Sequence, residues 1–186
     1  MTTALITHAD CLAHVTPAHV EEQPARLAYV LRALEGLPLE RHEAPLAEEA
    51  SILALHDAAY LARIKASIPD EGFVLLDAET DNETALSPTS WPAILHAVGA
   101  AQLGVDLVMS GAARNAFAAI RPPGHHAEQA LAMGFCFLGN VALAARHALD
   151  RHGLSRVAIV DFDVHHGNGT QALLWDEPRV LTVTSH

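Results

Sequence analysis

The chain has 186 residues, 51% of them hydrophobic, with a mean hydropathy of +0.19, enough to bury one sizeable core and to form one domain spanning residues 1–186. Eleven Lys plus Arg against 22 Asp plus Glu leave a net charge of −11, which repels a phosphate backbone and argues against direct nucleic-acid binding. Two cysteines, Cys11 and Cys136, exclude a disulfide framework and a Cys-based zinc site; with no basic leader and no apolar run expected to reach bilayer length, a cytoplasmic protein without membrane contact is expected.

Residues 4–8 read as a strand, followed by a polar loop carrying His14, Pro17, His19 and Pro24. Apolar residues then recur at helical spacing over 26–34 until Gly36 and Pro38 stop the helix, and a second helix is predicted over 56–68. Residues 69–90, dense in Pro, Gly, Asp, Asn and Ser, read as a long surface or functional loop. An Ala-rich helix over 91–110 leads to a strand over 116–120, which Pro122-Pro123-Gly124 must break. A helix over 140–152 ends at Gly153, and Val157-Ala-Ile-Val160 reads as a strand buried on both faces. A short helix and a strand over 180–184 follow. Strands alternating with helices predict an α/β fold with a mainly parallel sheet.

The thirteen histidines form no tract, so the question is which of them meet carboxylates. Asp161-Phe-Asp-Val-His-His-Gly-Asn-Gly169 follows directly from a predicted strand. In extended chain Asp161, Asp163 and His165 face one side, toward the crevice beyond strand ends where α/β ligands sit. An oxygen and a nitrogen donor two residues apart can chelate one borderline-soft cation such as zinc, with Asp161 supporting from behind. Gly167 and Gly169 suit a turn where backbone approaches closely. Arg121-Pro-Pro-Gly-His-His-Ala-Glu128 also follows a strand, and its His pair would converge on the same crevice, one imidazole taking a proton from water and the other, held by a carboxylate, stabilising charge or protonating a leaving group. Either segment alone is also compatible with capped turns and incidental histidines; the two together argue for a site.

Residues 121–128, Gly134-Phe-Cys-Phe-Leu138 and residues 157–171 resemble successive signature blocks of the histone deacetylase family. PPGHHAE and DFDVHHGNGTQ are nearest to its class II and bacterial histone deacetylase-like amidohydrolase branch, and weaker similarity runs through residues 53–60. The resemblance implies a three-layer, arginase/deacetylase-like open sheet with helices on both faces, and zinc-dependent hydrolysis of acetylated amines such as acetyl-lysine or acetylpolyamine. It makes Asp163 and His165 zinc ligands, His126 the general base and His125 its partner, with Asp161 holding His125 and Asn168 beside His126. An amide there, where other branches carry Asp, should leave His126 less basic. Phe135 and Gly134 would line the substrate channel, and Asp81 or Glu83 would grip substrate backbone. A structural potassium ion would sit among Asp161, Thr184 and the carbonyls of Asp163, His165 and Ser185.

The family's third zinc ligand, an Asp, and its transition-state Tyr fall beyond these blocks. The chain therefore reads as the N-terminal portion of a longer enzyme, or as half of a split one, inactive alone and with unpaired central strand edges. Homo-oligomerisation is left open. The alternatives are a catalytically dead metal-binding interaction module of the same fold and an arginase-like dimanganese hydrolase, against which Asn168 speaks because an acid is absent there.

Overall fold

In β1 (Thr3–Thr7) the side chains alternate between two buried faces, and this sets the layering. The computed structural model describes residues 2–80 and 83–186. β1 pairs in parallel with β2 (Leu39–Glu43) on one side and β5 (Asn115–Ala118) on the other, giving the order β2-β1-β5. Leu5 packs with Cys11 of α1 (Ala9–Ala13) and Leu27 of α2 (Pro24–Ala33). Ile6 packs on the opposite face with Ala100 and Leu103 of α5 (Ser90–Met109). One strand thus carries helices on both its faces, the three-layer α/β arrangement expected.

A second parallel pair, β6 (Val157–Asp161) with β7 (Val180–Thr184), places Asp161 opposite Thr184. α6 (Asn140–Arg151) and α7 (Asn168–Leu174) cover one face of it through Ala142, Ala145, Ile159 and Leu174. The other face is open: Val160 is 66%, Phe162 88% and Val164 76% exposed. No strand pairing joins β5 to β6 among the described residues, so the packing of α5 on α6 holds the two sheets together. The exposed apolar face agrees with expectation, whereas residues 157–160, expected to form a strand buried on both faces, are covered on one face only.

Three expectations need correction. The segment over 69–90 is not simply a loop, because β3 (Val74–Leu75) and β4 (Ala85–Leu86) pair antiparallel within it. α1, β2 and α3 (Glu49–Ile52) were not anticipated. Leu39-Glu-Arg-His-Glu43 shows no apolar alternation because β2 is an edge strand with Glu40, Arg41 and Glu43 exposed. Finally, α5 is a 20-residue helix long and apolar enough to cross a bilayer by length and composition. Here it is a core helix: it buries Ala93, Ile94, Ala97 and Val98 and packs on α1, α6, β1 and β5. α4 (Ala58–Ala66) lies within the predicted 56–68 helix.

Candidate active site

The segment leaving β5 reaches its position through a buried ion pair. Arg121 is 3% exposed and its Nε and Nη2 each lie 2.6 Å from a carboxylate oxygen of Glu22. Its Nη1 donates to the carbonyls of Cys11 (3.0 Å) and His14 (2.7 Å), and Nη2 also donates to that of Glu22 (3.2 Å). The guanidinium thereby ties the loops before α2 to the strand end. Glu22 has no counterpart in the sequence-based expectations, because nothing in the composition of the first loop marks one acid as the buried one. The Arg121–Pro122 peptide is cis, and Gly124 is followed by the histidine pair.

His125 and His126 point their Nδ1 atoms at different partners. His125 Nδ1 lies 2.9 Å from Asp161 Oδ2, an acceptor, so Nδ1 carries the proton and Nε2 is left as a base. His126 Nδ1 lies 2.7 Å from Asn168 Oδ1. The orientation of that amide is fixed from the far side, since Asn168 Nδ2 donates to Glu128 Oε1 at 2.9 Å and a carboxylate only accepts. The chain Glu128–Asn168–His126 therefore sets the imidazole as Nδ1–H with Nε2 free. Glu128 lies in the recognised motif, but its spacing from His126 holds no signal that the α7 amide lies between them.

Burial lowers the pKa of His126, and the neighbouring His125 and His165 add to this, while the Asn168 contact acts in the opposite sense. The main cause of the lowering is desolvation, not the amide of Asn168. The imidazole is wedged by backbone: a Cβ at Gly134 (φ +54) would lie 2.3 Å from His126 Cδ2, so only glycine fits there. Phe135 follows with φ +66 and its N–H donates to Thr84 Oγ1 at 2.9 Å. This couples the Gly134-Phe135 turn to β4 and to the exposed Glu83 beside it. Asp81 lies outside the described residues.

The loop after β6 comes to the same place. A Cβ at Gly167 would lie 2.6 Å from Asp161 Oδ2, one at Gly169 2.3 Å from the Ala127 carbonyl oxygen, and Thr170 N–H donates to the His125 carbonyl at 3.0 Å. The two motifs are thus interlocked through backbone. Asp163 Oδ1 and His165 Nδ1 face each other at 3.0 Å, and the His126 and His165 rings are 6.0 Å apart. The carboxyl of Asp163 is held below its ordinary pKa, chiefly by the His165 N–H donating to it. Both side chains are open, 49% and 72% exposed. An oxygen and a nitrogen donor on one zinc are about 3.4 Å apart at tetrahedral angles, so this pair fits a borderline cation with a small opening. Among the described residues no third His, Cys, Asp or Glu joins the pair.

Behind the site, Ser185 N–H donates to the Asp161 carbonyl at 3.1 Å and Thr184 sits opposite Asp161 in register, which puts three of the five residues named for potassium side by side. An open cleft of ≈ 610 Å³, bordered by His125, Asp161, Asp163 and the apolar Val160, Phe162 and Val164, runs along the free edge of β6.

Residues 19–186 match the family model of the histone deacetylase domain. The chain belongs to the histone deacetylase family. It is 40% identical over 148 residues to a histone deacetylase-like amidohydrolase of Pseudomonas aeruginosa, covering 80% of this chain and 38% of that protein. It is 37% identical over 196 residues to the polyamine deacetylase HDAC10 of Homo sapiens, covering 100% of this chain and 29% of that protein. A solved structure titled the HDA15 HD domain superposes with a TM-score of 0.90 at 29% identity, covering 100% of this chain and 54% of that one. The chain thus spans little more than a third of the length of these curated relatives, or less.

Proposed function

We propose that this chain carries the catalytic histidines and two of the metal ligands of a zinc-dependent deacetylase that hydrolyses acetylated amines to acetate and free amine. The observation carrying the proposal is the orientation of His126: Nδ1–H is engaged by Asn168, so Nε2 remains as a base in a partly desolvated position beside the Asp163 and His165 pair. Asp163 Oδ1 and His165 Nδ1 would hold the cation. A zinc ion held there supplies Lewis acidity toward a carbonyl oxygen and toward water.

His126 Nε2 takes the proton of the attacking water. His125, oriented through Nδ1 by Asp161, stands beside it, and the proton taken up at His126 Nε2 is the one passed to the departing amine. Gly134 keeps the His126 ring in place, Phe135 walls the approach for the acyl chain, and Glu83, or Asp81, contacts substrate backbone at the rim. Potassium held by Asp161, Thr184 and the carbonyls of Asp163, His165 and Ser185 would brace the strand end. The likeness to a polyamine deacetylase and to a histone deacetylase-like amidohydrolase points to an acetylated polyamine or an acetyl-lysine protein as substrate; the two buried free cysteines suit a reducing compartment such as the cytoplasm.

The test is acetate release from an acetyl-lysine peptide and from an acetylpolyamine by the purified protein that contains this chain, supplied with zinc. Replacing His126 by Ala should lower the rate about 10²–10⁴-fold. Full activity in His126→Ala would remove the base assignment, and no activity in any zinc-loaded preparation would favour a non-catalytic member.

A further inference from the structure

The described residues hold two further groups in which two histidines meet an aspartate, His8, Asp10 and His96 just after β1, and Asp106, His147 and His152 between α5 and α6. In the first, His8 Nδ1 already accepts the Asp10 N–H as a helix cap. In the second, neither Nε2 has another partner. His147 and His152 direct their Nε2 atoms at the same oxygen, Asp106 Oδ1, at 2.7 and 2.6 Å. Asp106 comes from α5, His147 from α6, and His152 from the residue that ends α6.

We propose that Asp106, His147 and His152 form a second cation site that takes a borderline divalent ion such as zinc and clamps the end of α6 to α5. Two imidazoles with one carboxylate are a donor set that zinc and its neighbours favour over magnesium. Ligand atoms on one such ion stand about 3.4 Å apart, so each of the two contacts must open by less than about 1 Å. Asp106, 43% exposed at its side chain, has room to swing. Each imidazole then moves its proton from Nε2 to Nδ1, with no net proton released.

An independent observation points into the same groove. Gln102, one turn before Asp106 on α5, lines it with Asp106 and His147. It is 8% exposed, and its Nε2 has no hydrogen-bond partner among the described residues. Its other amide atom lies 3.5 Å from Ser51 Oγ, whose single hydrogen is engaged by the Glu48 carbonyl at 2.7 Å. Turning the amide lets Nε2 donate to Ser51 Oγ and puts the oxygen in the orphaned position. There it can accept from a cation's water. The clamp would matter to the strand-end chemistry because α6 leads directly into β6.

The decisive experiment is zinc titration of the protein that contains this chain, carrying Asp163→Ala and His165→Ala, which removes the strand-end donors, read by native mass spectrometry and by melting temperature. One zinc per chain should be retained, the melting temperature should rise with zinc and not with magnesium, and adding His152→Ala should weaken binding at least about tenfold. His152 lies at a helix end and His152→Ala is expected to fold; as a control on folding, the ring ¹⁵N resonances of His147 and His152 in the otherwise unchanged chain should shift together on adding zinc. No zinc retained by the Asp163→Ala, His165→Ala chain, or retention unchanged by His152→Ala, would overturn the proposal, as would ¹⁵N resonances that do not move. The outcome is independent of whether the protein is a deacetylase.

Discussion

Arg121→Met probes the ion pair that seats the histidine segment. The substitution keeps an unbranched chain in a site 3% exposed but strands the Glu22 carboxylate, whose side chain is 0% exposed. Losing one partner of such a pair costs about 3–5 kcal/mol. Arg26, 3.4 Å away and 64% exposed, offsets little of this. Glu22→Met leaves the guanidinium buried without its counter-ion and should cost a similar amount. With both changed, no charge remains inside, and the residual cost is that of the Cys11 and His14 carbonyls left without donors, about 1 kcal/mol each, since Thr16 Oγ1 still donates to that of Glu22. A double-mutant cycle in urea should therefore give a coupling of about 3 kcal/mol or more. Single variants that lose under about 1 kcal/mol, or a cycle that adds, would refute the reasoning. Glu22→Gln, which keeps shape and one acceptor, guards against variants too unstable to measure.

Three further outcomes follow from the site and its surroundings. Gly134→Ala forces a left-handed alanine and a Cβ 2.3 Å from the His126 ring; it should lose about 1–3 kcal/mol of stability and displace His126, visible as changed histidine ring resonances. His14, buried against Phe137 with its pKa driven to about 3 by desolvation and by Arg121, is protonated in the unfolded chain near pH 6.5. Its contribution is intact above pH 6.5 and is lost as pH falls from there toward 3, about 2 kcal/mol by pH 5. Urea midpoints against pH should show that slope, and His14→Gln should flatten it. Glu128→Leu frees the Asn168 amide to turn, so ¹⁵N spectra should show His126 changing from one tautomer, protonated at Nδ1, to a mixture; an unchanged spectrum would contradict the Glu128–Asn168–His126 chain.

The long-period features of the fold were legible in the sequence, since β1, α2, α4, α5, α6, β6 and β7 all carry apolar spacing that packing then uses. β2 was not, because an edge strand needs no buried face; nor was the β3–β4 pair, whose two-residue strands are too short for a period to register. The histidine pairs and the acids at 161 and 163 could be read because motif and strand end coincide. Glu22 and Glu128 could not, since their roles arise from contacts across 99 and 40 residues that no local pattern encodes. Asp106, His147 and His152 escaped for the same reason.

The central claim is that two neighbouring strand ends deliver His126 and the Asp163 and His165 donors to one cation. Anomalous diffraction at the zinc edge, from crystals of the protein containing this chain, measures that directly. The account predicts a peak about 2.0–2.2 Å from both Asp163 Oδ1 and His165 Nδ1, on the side that His126 Nε2 faces. Zinc found only elsewhere, with Asp163 and His165 still hydrogen-bonded to each other, would contradict it.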